Sequence, residues 1–72
     1  MNAIKQLEYL MNKNGITKYR LSKLSGQSTS YIYASFNEEV VCSLKQIARW
    51  SELLDFDFKV VITERDANNE YL

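Results

Sequence analysis

Between Thr17 and Asn37 the chain has room for two short helices and almost nothing between them, and this limits its fold more than any other feature. Thr17 has an N-cap side chain, whose oxygen can accept from a free amide of the first turn, and Lys18 to Ser25 follow it without a breaker. Gly26 stops that run. Ser28 is the next cap, for a helix reaching about Phe36 that Asn37-Glu38-Glu39 closes. Ser22 is small where the second helix must cross closely, and the β-branched Ile32 anchors that second helix.

The flanking segments supply the rest of a core. Ile4, Leu7, Leu10 and Met11 recur at helical spacing over 3–13 behind the cap Asn2, and Asn14-Gly15 ends that helix. Residues 40–42 read as a short apolar connection, with Cys42 as a small buried apolar side chain. Ser43-Leu44-Lys45-Gln46 has the spacing of a capping box, and Leu44, Ile47, Ala48, Ser51 and Leu54 then line one face, with Trp50 as a core residue. After Asp55 the period changes to two: Phe56, Phe58, Val60 and Ile62 alternate with Asp57, Lys59, Val61 and Thr63, which predicts a strand over 56–64. A single strand leaves a row of backbone groups unpaired. Its expected partner is the same strand of a second copy, giving a two-stranded ribbon across a homodimer; the alternative is a strand-like tail packed on the helices. The expected fold is therefore mainly α, with four to five helices over 1–55, a C-terminal strand over 56–64 and a polar, frayed tail over 65–72.

Folding 72 residues buries only ~60% of the unfolded surface, so a partner subunit or binding protein would add stability. Formal net charge is zero, but unevenly spread. Residues 1–26 hold Lys5, Lys13, Lys18, Arg20 and Lys23 against Glu8 alone, a net of +4; residues 27–72 hold four basic against eight acidic side chains, a net of −4. One face should be positive. No apolar run approaches a membrane span, and MNAIKQLEYL has no signal-peptide layout, so the expected compartment is the cytoplasm. With no histidine and Cys42 alone, neither an internal disulfide nor a Cys/His metal site is expected, and no cofactor. No carboxylate pair sits in an apolar stretch and no glycine-rich phosphate loop occurs, so neither catalysis nor a small-molecule substrate is expected.

The run from Lys18 to Asn37, with Ser22, Gly26, Ile32 and the Phe36-Asn37 ending, resembles the helix-turn-helix of the Cro/CI-type family of phage and bacterial regulators. The resemblance extends over 1–55, Ser43 to Leu54 looking like that family's fourth helix. It implies a second helix that enters the ~12 Å major groove of operator DNA. Gln27, Ser28, Thr29, Ser30, Tyr33 and Asn37 are then the candidates for base or partner contact. Lys18, Arg20 and Lys23 are the candidates for phosphate. The implied function is transcription regulation in a phage-type genetic switch, in the cytoplasm of a bacterial host.

Some positions depart from that pattern. Ser25, Gln27 and Ser35 stand where relatives place less polar packing residues, and Leu24 where they carry an exposed polar one. From Gly26 to Leu44 there is no lysine or arginine, while Glu38 and Glu39 follow the second helix directly. Affinity for DNA comes largely from basic contacts that release counterions. A Ser/Thr/Tyr surface instead resembles protein-binding paratopes, in which tyrosine gives rigid area and serine adaptable hydrogen bonds. The alternative is thus a modulator of repression, or antirepressor, that binds a CI-type repressor through this face, with Leu24, Tyr31, Glu38 and Glu39 as partner candidates. A third reading is an antitoxin-like regulator, since helix-turn-helix antitoxins often end in a similar pairing strand.

Overall fold

The computed structural model describes residues 2–59, which form a mainly helical domain. Its elements are α1 (Ala3–Lys13), α2 (Lys18–Ser25), α3 (Thr29–Phe36) and α4 (Leu44–Leu53). Each begins where its cap is written. The side chains of Asn2, Thr17, Ser28 and Ser43 accept from the backbone amides of Lys5, Arg20, Tyr31 and Gln46 in turn. Each cap satisfies one of the first-turn amides that have no partner within the helix.

Three of the four C-terminal ends are built alike. Past α1, Gly15 takes φ 69° and Ile16 N–H donates to Met11 O at 2.8 Å. Past α3 and α4 the same six-residue closure recurs, Glu39 N–H to Ala34 O and Phe56 N–H to Ser51 O, each at 2.8 Å. There the left-handed residues are Glu38 (φ 60°) and Asp55 (φ 63°), where glycine is usual. α2 ends on Gly26 itself, at φ 74°.

α1 and α2 each pack on both α3 and α4, so that the core lies among all four helices. The core is Ile4, Leu7, Met11, Leu21, Ile32, Phe36, Ile47, Trp50 and Leu54. Trp50 is fully buried at its centre, stacked on Phe36 (centroids 5.8 Å apart) and met edge-on by Tyr31 (6.2 Å). Full burial of a side chain such as Leu21, Ile32 or Phe36 contributes about 1.5–3 kcal/mol. Ser35 and Ser51 are buried too, and each hydroxyl donates one turn back, to Tyr31 O and Ile47 O. Leu44 departs from the expected stripe. It is exposed, because α4 is rotated to bring Trp50 inward, and the buried row runs Ile47, Trp50, Ser51, Leu54.

Residues 56–59 carry no strand. Their alternation is nonetheless real: Phe56 and Phe58 are half-buried against the core while Asp57 and Lys59 face solvent. This part of the expected strand is a tail packed on the helices. Val60 and Ile62, the rest of 56–64, and the tail 65–72 lie outside the described residues. No helix among the described residues is long and apolar enough to cross a membrane.

Candidate functional site

The turn between α2 and α3 is held from inside. Ser22 Oγ donates to Gln27 O at 2.6 Å, and Gln27 N–H donates to Ser25 Oγ at 3.2 Å. The small residue at position 22 thus supplies a hydroxyl as well as room. Gln27 has its side chain committed to the core rim. Its Oε1 accepts from the buried Trp50 indole N–H at 2.7 Å, and its Nε2 donates to Gln46 Oε1 at 3.3 Å. Gln46 is used here rather than in the reciprocal half of a capping box, and the polar residue at an expected packing position is a packing residue with hydrogen bonds.

What remains outward on α3 is a row at helical spacing: Ser30, Tyr33 and Asn37, with Ser28 ahead of it and Glu38 and Glu39 behind it, all exposed. Tyr33 shows half its surface. Thr29 and Tyr31 are half-buried, Tyr31 through its edge on Trp50. On α2, Tyr19, Arg20, Lys23 and Leu24 are exposed, with Lys23 Nζ lying over the Tyr19 ring at 5.2 Å.

Lys18 links the two helices. Its Nζ sits 5.6 Å from the Tyr33 ring centroid and 5.4 Å from that of Phe36, and it pairs with Glu8 Oε2 of α1 at 3.0 Å. Glu8 Oε1 in turn meets Lys5 Nζ at 3.4 Å, and Lys5 also donates to Phe36 O, at the end of α3, at 2.6 Å. The hydrogen bond from Lys18 holds the Glu8 carboxyl below the ordinary glutamate value, opposed by partial burial and assisted by Lys5. Lys18, expected at a phosphate, is therefore already ion-paired. The expected phosphate ligands that stand exposed are Arg20 and Lys23.

Sequence reasoning did not single out Glu8 or Tyr19. The Lys5–Glu8 spacing was a legible helix pair, whereas the Glu8–Lys18 pair joins different helices. It also missed an exposed apolar patch after α3, where Val40, the almost fully exposed Val41 and Leu44 border a cleft of about 290 Å³. Cys42 is half-buried; burial pushes its thiol up, with the Ser35 hydroxyl pulling the other way. Among the described residues, no group of three or more Cys, Asp or Glu is placed to hold a metal ion. No protein-family model, curated protein or solved structure matches the chain.

Proposed function

We propose that this chain is a regulator in a phage-type genetic switch that uses the outer face of a Cro/CI-type helix-turn-helix, α2 and α3, to bind a CI-type repressor and alter that repressor's DNA binding. The observation that carries this reading is the charge of the outward row on α3. The row Ser30, Tyr33, Asn37 bears no cation, Glu38 and Glu39 follow it, and the cation beside it, Lys18, is paired with Glu8. A phosphate backbone rewards free cations. A protein surface rewards exposed tyrosine with neighbouring small polar groups. The DNA-binding face of a repressor is basic because of what it binds, and Glu38 and Glu39 complement it. Size exclusion with light scattering tests the pairing, using this chain, the CI-type repressor of the same operon, and their mixture. A complex that Tyr33→Ala and Glu38→Lys each weaken supports this face; insensitivity to both rules it out.

A second reading is direct operator binding by a Cro-like dimer, with the 56–64 segment pairing between copies. The exposed Arg20 and Lys23 favour it. With those two phosphate contacts per subunit, log affinity against log salt would have a slope of about −2 per subunit. A gel shift of the chain alone on operator fragments decides between the readings.

A further inference from the structure

We infer that Glu8 is a specificity residue: its carboxylate takes the place on Lys18 that a nucleic-acid phosphate would take, and so keeps this face for protein partners. The inference rests on the reading above, in which this face binds a protein rather than DNA. Lys18 is the first residue of α2, beside the exposed Tyr33, where a helix start and a cation together would suit an anion. Instead its Nζ lies against Glu8 Oε2 at 3.0 Å and near the rings of Tyr33 and Phe36. Both charged side chains are largely covered, Lys18 at 20% and Glu8 at 24% exposure. A phosphate approaching Lys18 would have to displace this carboxylate and meet its repulsion. Lys5, the other partner of Glu8, is separately held by Phe36 O at 2.6 Å, so loss of the carboxylate frees one cation, not two.

The test is fluorescence anisotropy of a random-sequence duplex with wild type, Glu8→Gln, Glu8→Gln/Lys18→Gln and Glu52→Gln. Glu8→Gln keeps the shape and an acceptor for Lys18. Glu52→Gln removes an exposed acid of α4 and controls for net charge alone. One released cation should steepen the log–log salt slope by about 0.9, so the gain of Glu8→Gln over wild type is about 3.5-fold larger at 50 mM than at 200 mM salt. The double variant should lose that gain, and Glu52→Gln should not reproduce it. If Glu8→Gln unfolds, Glu8→Asp, which withdraws the charge by one methylene, should give a smaller gain of the same sign. A folded Glu8→Gln with wild-type affinity and slope overturns the inference, as does a gain that survives loss of Lys18 or appears equally in Glu52→Gln. Wild type and repressor are mixed in parallel. A repressor complex without the Glu8 gain overturns only the role of Glu8, whereas the gain without a repressor complex overturns only the preceding reading.

Discussion

Gln27 sits at the start of the turn into α3, a natural place for a base-reading side chain, yet its amide is spent on Trp50 and Gln46. Replacing it with leucine keeps the size and removes both hydrogen bonds. The Trp50 indole is fully buried, so its N–H, now 2.7 Å from Gln27 Oε1, is left without that acceptor. An unsatisfied buried donor costs about 1–3 kcal/mol. In a domain of this size each kcal/mol moves Tm by about 4–8 °C, so a mid-range loss of about 2 kcal/mol lowers Tm by about 8–16 °C. Trp50→Phe destabilises as well, by losing the donor and part of the ring. The double variant Gln27→Leu/Trp50→Phe has neither group of the pair, so the cycle should show a coupling of about 1 kcal/mol. Thermal melts followed by circular dichroism, with urea titrations for the free energies, measure all four corners. A Gln27→Leu variant that melts with wild type, or an additive cycle, would refute a structural role for this glutamine.

Three further outcomes follow from the same contacts. Glu8 is held below its ordinary value of 4.5 by Lys18, so its contribution to stability is complete above that value and is lost as pH falls through its lower folded value; the stability gap between wild type and Glu8→Gln, from urea titrations at a series of pH values, should close in acid and stay open at neutral pH. Tyr31→Ala should lower Tm, since its edge-on contact with Trp50 adds about 0.5–1.5 kcal/mol beyond area burial, whereas Tyr33→Ala, whose half-exposed ring meets only Lys18 among the cations of the described residues, should lower Tm by less than Tyr31→Ala while weakening repressor binding. Gly26→Ala should cost about 1 kcal/mol: a Cβ there meets nothing within 4 Å, so the loss is the left-handed conformation alone, and a wild-type melt would contradict it.

The parts of the fold legible in the sequence are those decided within a few residues. Asn2, Thr17, Ser28 and Ser43 announce helix starts because a cap bonds three residues ahead, and Gly15 and Gly26 announce ends because they accept positive φ. Glu38 and Asp55 occupy the same kind of position without the residue that marks it, and only the backbone shows that they do. Helix rotation is settled by packing, so Leu44 reads as core yet lies exposed once Trp50 takes the centre. The candidate site divides in the same way. Tyr33, Leu24 and the acids after α3 are outward as their positions imply, whereas the commitment of Gln27 to Trp50 and of Lys18 to Glu8 joins residues 23 and 10 positions apart. Such pairs depend on how α1, α4 and the α2–turn–α3 unit meet, and no local pattern encodes that.

In the proposed function this face meets a repressor rather than DNA. The most direct test is anisotropy of a labelled operator, titrated with the chain alone and then with the chain against the preformed complex of operator and CI-type repressor. The expected result is no operator binding by the chain alone beyond its weak affinity for random-sequence duplex at physiological salt, and a dose-dependent change in the repressor's operator affinity that Tyr33→Ala abolishes. Operator binding by the chain alone, with the repressor's affinity unchanged, would contradict it.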